Sequence, residues 1–404
     1  MDKNFLTMAE LFFSEVEGKE FDKKITNPKQ IIAACKNQGT VYFVISAFKK
    51  LKQKSLIDIE PGFYLYLKEI LLNRVLEQSE RNEEFRKVSE NFKQNGISFC
   101  VLKGEGFSLN YSSPSLRTSG DTDILIDPKD ENKAFEVLRS MGFDIEVRAD
   151  MATHSKCYKK ELGILELHVK VHYDYIKQIW FSGYDGFSED YMYLKSENGY
   201  YFPVPSPTDG YIHLVLHLIE HFFDNGAGLR NVSDLFRYTL VYKDEIDFDK
   251  ANTLFEKLNY KKFLDCVYGI GNMYFGYDFE IPDYDKEVSE LILSDIEETG
   301  MFAKNVNPDE ISGRFSNLKN KDAKSIISES RFKNTLKYIS LRKENMKRRY
   351  PGKTLFSARI THIKNCAGKV LKRGDIARDM LFISKKESKA FEKKKEIIER
   401  LKMV

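Results

Sequence analysis

Residues 119–127 read SGDTDILID. Gly120 precedes a short β-branched and aliphatic run, and Asp127-Pro128 follows it, so the pattern predicts a strand over Thr122 to Ile126 bounded by turns. Side chains on a strand alternate between faces. Thr122, Ile124 and Ile126 therefore share one face, and Asp121, Asp123, Leu125 and Asp127 share the other. The strand rise puts the Cα atoms of Asp121 and Asp123 roughly 7 Å apart. Two carboxylates that close repel, and burying them costs more still. They need a cation or a solvated strand end.

Outward from this strand the pattern separates into regions. Residues 1–95 carry apolar positions at helical spacing, as in AELFFSEV and GFYLYLKEILLNRVLEQSE. The pattern changes at Asn95-Gly96, and ISFCVLKG reads as a buried strand ending at Gly104. After the central strand, DPKDENKAFEVLRSMGF predicts a helix starting at Asp127 and Pro128 and stopping at Gly142. FDIEVR, HSKCYKK and ILELHVKVH read as further strands. The last alternates cleanly, with Leu165, Leu167, Val169 and Val171 on one face and Glu166, His168, Lys170 and His172 on the other. FPVPSP, residues 202–207, reads as a boundary, after which the helical period returns. The expected organisation is a helical region at 1–95, an α/β core at 96–205, a helical domain at 206–300, and a linker with a basic, partly helical tail at 301–404.

Composition narrows the class. The chain has 404 residues and a net charge of only +3, with 42% hydrophobic and 13% aromatic content, enough for real cores. From Arg331 onward there are 23 basic and 7 acidic residues, which leaves the rest net acidic. Such a tail suits a weak anionic partner such as RNA, DNA or a membrane surface, and equally a solvated helical face. It lacks the aromatic interleaving of a platform for single strands. The five cysteines are scattered without metal-type spacing, which argues against a disulfide frame or zinc ribbon. The N-terminus is too charged for a signal peptide. No apolar run approaches the ~18 residues of a membrane span. A cytoplasmic protein is the expectation.

Two features converge on one site. Asp121-x-Asp123 is the first, and Glu166, with His168 on the polar face of a later strand, is the second. If those strands are neighbours, three carboxylates meet, and such oxygen ligands suit Mg²⁺ or Mn²⁺. Two ions held there would clamp an in-line phosphoryl displacement. Upstream, Lys103-Gly104 ends a strand just before a short helical stretch, where backbone N–H groups can meet a phosphate. Arg117 adds a fork suited to phosphate oxygens. A bare Asp-x-Asp usually marks only strand-end turn hydrogen bonds; the ordered companions shift the weight towards chemistry.

The order LKGEGFSLNYSSPSLRTSGDTDILI, then LELHVKVH, HLVLHLIEH and GLRNVSDLFRY, resembles the bacterial "uncharacterised nucleotidyltransferase" branch of the DNA polymerase beta superfamily. The likeness covers roughly residues 95–270. It implies an α+β fold: a small mixed-sheet nucleotidyltransferase core between an N-terminal helical region and a C-terminal helical domain that forms the other cleft wall. It implies Mg²⁺ or Mn²⁺ on Asp121, Asp123 and Glu166, with Glu166 also activating an acceptor hydroxyl. Lys103, Gly104, Arg117 and Gly120 would hold the triphosphate of an NTP, expected to be ATP, and an NMP would pass to a hydroxyl with loss of pyrophosphate. Where the superfamily usually has Gly-Ser, this chain has Lys103-Gly104-Glu105, which removes a serine contact to the triphosphate. The third carboxylate is Glu rather than the commoner Asp.

Two other readings come from the residues. His213, His217 and His221 recur every four positions, and His217-x-x-Glu220-His221 fits an inverted zinc-hydrolase motif. The same histidines can instead line the cleft, with His168 beside the carboxylates and Arg230 near the cleft or paired with Asp234 at helical spacing. A non-catalytic nucleotide- or RNA-binding protein with a degenerate site would bind without turnover and with a steep salt dependence.

Overall fold

The computed structural model describes residues 1–148, 153–171, 191–224, 226–301 and 385–403. His172 and most of the basic tail lie outside them. The helical period of the first region becomes α1 (Lys3–Val16), α2 (Pro28–Ala34), α3 (Val41–Gln53) and α4 (Pro61–Gln94). Asp2 caps α1 by accepting from the backbone N–H of Asn4 and Phe5. In α2 and α4 proline occupies the first turn, where its missing N–H costs nothing.

The core sheet is built from β1 (Phe99–Lys103), β2 (Asp121–Ile126), β3 (Asp144–Glu146), β4 (His154–Lys159) and β5 (Gly163–His168). Its strand order is β1-β2-β5-β4-β3, with β2 and β5 parallel and the other neighbours antiparallel. The one-turn helix α5 (Glu105–Ser108) follows β1, and α6 (Glu131–Ser140) follows β2. Asp127 accepts from the backbone N–H of Lys129 at the turn leading into α6. The alternation read from SGDTDILID holds. Ile124 and Ile126 join Leu165, Leu167 and Cys157 in one apolar face, which packs on Phe85, Val88 and Phe92 of α4 and on Phe135 and Leu138 of α6. That burial fixes the register, because a slip of one residue would send every one of these side chains to the opposite face.

FPVPSP opens as a strand, and the helical part of the chain begins at its last residue, Pro207. β7 (Tyr201–Pro205) pairs antiparallel with β6 (Tyr191–Lys195) in a separate two-stranded sheet. Phe202 and Val204 are buried in the same core as β1 and α4. Prolines are tolerated in such a ribbon because its outer edge needs no N–H donors.

Five helices complete the first unit: α7 (Pro207–Asp224), α8 (Leu229–Val241), α9 (Phe248–Lys257), α10 (Lys261–Tyr274) and α11 (Lys286–Thr299). They are not remote from the N-terminal helices. Phe13 of α1 stacks on Phe275 at 4.3 Å between ring centroids. Gln38 donates to the Ile296 carbonyl, and Arg237 pairs with Glu17 at 2.7 Å. The described residues 1–301 thus form one compact unit, and residues 385–402, with α12 (Lys385–Leu401), belong to a second. No helix among the described residues is long and apolar enough to cross a membrane.

Candidate active site on the polar face of the sheet

The polar face of the sheet carries two rows of side chains. Register pairs Lys103 with Asp123, Asp123 with Glu166, and Glu166 with Lys156. The next row pairs Leu125 with His168 and His168 with His154. Lys103 belongs to the first row only because of a break in regular pairing between Val101 and Lys103. The extra residue, Leu102, works as a bulge: unbroken alternation would set Leu102, not Lys103, opposite Asp123.

Charge is balanced within this face. The Lys103 ammonium lies 2.9 Å from Asp123 and 3.4 Å from Asp121. Burial pulls the lysine down, but Asp123 and then Asp121 outweigh it and hold its pKa above the usual lysine value. Burial likewise works to raise Asp123, yet Lys103 and His168 hold it well below the usual carboxylate range. Glu166 goes the other way. Burial, then the charges of Asp123 and Asp121, push its carboxyl up to about 7. Two carboxylates with separated affinities for protons suit different tasks, one a permanent anion and the other a proton acceptor near neutral pH. One oxygen each of Asp121, Asp123 and Glu166 lies within 4.8 Å of the others, close enough to share a cation. Asp123 Oδ1 is buried without a hydrogen-bond partner, as expected of an atom whose partner is an ion.

A family model described as uncharacterised nucleotidyltransferase matches residues 26–276. The chain belongs to this nucleotidyltransferase family. None of the curated proteins matches it in sequence. Three solved structures overlap weakly. A lincosamide antibiotic adenylyltransferase, LnuA, in its lincomycin-bound form, is 16% identical, over 39% of this chain and 95% of that one, with a TM-score of 0.27. The antibiotic-resistance factor ANT(2'')-Ia is 9% identical, over 46% of this chain and 93% of that one, at 0.31. An antigenic nucleotidyltransferase-like protein from Paracoccidioides brasiliensis is 15% identical, over 46% of this chain and 89% of that one, also at 0.31. The family assignment rests on the sequence match.

In this nucleotidyltransferase the phosphate-side residues are placed differently from the expectation. Arg117 does not face an open cleft. Its guanidinium is fully buried, meets both oxygens of Asp234 on α8 at 2.7 Å, and donates to the Gly104 carbonyl at 3.3 Å. Tyr111 also donates to Asp234, at 2.7 Å. With its donors spent in the interior, Arg117 braces the loop before β2 against α8. Arg230 does similar work: it donates to the Thr118 carbonyl at 2.7 Å and lies 3.8 Å from Asp234. Gly104 sits at φ +82, and a Cβ there would come within 3.0 Å of the Asp121 carbonyl. Only glycine lets β1 end that close to β2. The helix after it is a single turn, too short for much of a dipole. A Cβ on Gly120 would meet nothing within 4 Å, so the neck of β2 is open.

The histidine row lies on α7. His213 is buried, and His217 and His221 are half-buried. Burial holds His213 and His221 down to about 3, and pulls His217 well below its usual value with help from the Lys103 charge. These rings are therefore neutral at physiological pH. Neither of the two metal-capable groups among the described residues includes His217, Glu220 or His221. The zinc-hydrolase motif thus lacks a third ligand within reach there.

Some residues at the site escaped the sequence reading. α4 buries a polar row, Arg74, Gln78 and Asn82, at a spacing of four. Arg74 donates to the Arg117 carbonyl at 2.6 Å, and Arg81 to the Ser119 carbonyl at 3.2 Å. Arg81 also lies within electrostatic reach of Glu105 and Asp121. Glu105 is buried beside this row, with Gln78 Nε2 3.3 Å away, and burial pushes its carboxyl up to about 7 despite Arg81. A carboxyl raised on folding binds its proton more tightly in the native state, so stability should fall as pH rises from about 4.5 through about 7. Glu105→Gln should flatten that fall and raise the melting temperature at pH 8 but not at pH 4. Thermal melts of both proteins at the two pH values check this.

Proposed function

We propose that the protein transfers a nucleoside monophosphate, with ATP as the donor, to a hydroxyl acceptor and releases pyrophosphate. The observation that carries this reading is the convergence of Asp121, Asp123 and Glu166 on one sheet face, with a lysine ammonium serving as counter-charge. The donor set is all oxygen, which fits Mg²⁺ or Mn²⁺. When bound there, such ions neutralise the triphosphate and stabilise charge on the entering and leaving oxygens.

The chain's own residues then have separate tasks. Asp121 and Asp123 hold the cation position. Glu166, with its carboxyl near neutrality, accepts the proton of the acceptor hydroxyl as that oxygen bonds to the α-phosphorus. The bond from the α-phosphorus to the bridging oxygen breaks, and pyrophosphate leaves. Lys103, in contact with both aspartates, and Arg81, within electrostatic reach of Asp121, would meet phosphate oxygens, with Gly120 leaving room beside β2. Arg81 takes the part first given to Arg117.

Isothermal titration of ATP and the other NTPs with and without Mg²⁺, on wild type and on Asp121→Ala/Asp123→Ala, tests the reading. The expected result is metal-dependent binding that the double variant loses. Equal binding by both proteins would sink it.

A further inference from the structure

We propose that His154, Glu166 and His168 form a second cation position, for a zinc-class transition metal, beside the carboxylate site. β4 and β5 are antiparallel neighbours, and His154 lies directly opposite His168. Glu166 is two residues before His168 and so points to the same face. One ligand atom from each of the three lies within 4.8 Å of the others. His154 Nε2 is 3.5 Å from Glu166 Oε2, and His168 Nε2 is 3.8 Å from the same oxygen. Those separations are long for hydrogen bonds. They are close to the edge of a ligand tetrahedron, about 3.3 Å for bonds of about 2.0–2.1 Å.

Independent observations point to an ion. Neither ring nitrogen of His168 has a hydrogen-bond partner. Asp123 Oδ1, also unpartnered, lies 3.7 Å from His168 Nε2, on a carboxylate side chain only 7% exposed. His168 Nε2 thus lies between two carboxylate oxygens, Asp123 Oδ1 and Glu166 Oε2, at distances longer than hydrogen bonds. Thr153 Oγ1 is 3.1 Å from His154 Nδ1. In the tautomer that carries its proton on Nδ1 and donates it to Thr153 Oγ1, the lone pair is left on Nε2, which is how an outer hydrogen bond fixes a metal-binding histidine. Lys156 is 3.6 Å from Glu166 Oε1, the other oxygen, and its side chain is half-exposed, so Oε2 stays with the histidines.

Two imidazoles with one carboxylate favour zinc, cobalt or nickel over magnesium, which prefers an all-oxygen shell. The two positions share Glu166. The proposal does not require nucleotidyl transfer, because its test contains no nucleotide.

The test is titration of the full-length, metal-stripped protein with Co²⁺, followed by visible absorption. Four-coordinate Co²⁺ with nitrogen ligands absorbs intensely, whereas six-coordinate Co²⁺ among oxygens absorbs weakly. One equivalent of intense absorption is expected in wild type. His154→Ala and His168→Ala should lose it, and Asp121→Asn should keep it. Thr153→Val removes no ligand atom, and should weaken Co²⁺ binding about 10–100-fold; this variant carries the test if a histidine variant does not fold. Weak absorption in wild type, intense absorption that survives His154→Ala, or unchanged affinity in Thr153→Val would each overturn the proposal. So would loss of the band in Asp121→Asn to the same degree as in His154→Ala, since that assigns the ion to the aspartates.

Discussion

Asp123→Asn is expected to lower the rate of pyrophosphate release from an NTP by on the order of 10³-fold or more, about 4 kcal/mol of transition-state stabilisation. The substitution keeps the shape of the side chain and removes its charge. It strips the cation position of a carboxylate held well below the usual range and leaves the buried Lys103 ammonium with Asp121 alone, 3.4 Å away. Release of pyrophosphate, measured with Mn²⁺ and a panel of hydroxyl compounds, reads the effect. Glu166→Gln should behave differently. Its loss is that of a proton acceptor, roughly 10²–10⁴-fold, and it should also remove the rise in rate with pH that ionisation of Glu166 produces in wild type. Asp123→Asn should leave the residual rate pH-dependent. Identical pH profiles for wild type and Glu166→Gln would show that Glu166 is not the base.

The largest effect on stability is expected at the Arg117–Asp234 pair. Asp234→Ala should cost about 3–5 kcal/mol, because it strands a fully buried guanidinium without its counter-charge. The double replacement Arg117→Met/Asp234→Leu should recover most of that loss, since the expense lies in the unpaired charge rather than in the missing contact. For contrast, the exposed pair Lys29–Glu60, at 3.4 Å with both side chains 66% exposed, should change stability by less than about 1 kcal/mol when broken. Urea unfolding of the four proteins separates these cases. A double variant no more stable than Asp234→Ala would mean that Arg117 contributes by packing and backbone contacts instead.

The centre of the fold was legible because it rests on alternation. SGDTDILID and LELHV each announce one apolar and one polar face, and the parallel pairing of the two strands then brings Asp123 and Glu166 together. Helix periods and caps located the flanking helices for the same reason: they depend on local spacing. What escaped depends on long-range burial. Nothing in the helical period of α4 marks its polar residues Arg74, Gln78 and Asn82, which are buried over the loop that carries Arg117. Arg117 looked like a phosphate ligand because nothing in the local sequence reveals that Asp234, more than a hundred positions later, takes its donors. β7 was hidden by its prolines, which punctuate most chains but here occupy a two-stranded ribbon. His154 was legible only as part of a strand, since its place opposite His168 follows from register.

The lysine between the aspartates has a thermodynamic consequence. With an ammonium already neutralising Asp121 and Asp123, the carboxylate position has no electrostatic need of a metal, so withholding Mg²⁺ should leave the melting temperature unchanged. At that position a free Mg²⁺ or Mn²⁺ must compete with a tethered cation, and its affinity there in the absence of nucleotide should be poor. An incoming triphosphate alters that balance, because it offers the ammonium a second anion. On the proposed function, metal and nucleotide would be coupled ligands, each raising the affinity for the other by the same factor. Lys103 would act as the internal competitor that makes the site respond to the metal–nucleotide complex rather than to either component alone.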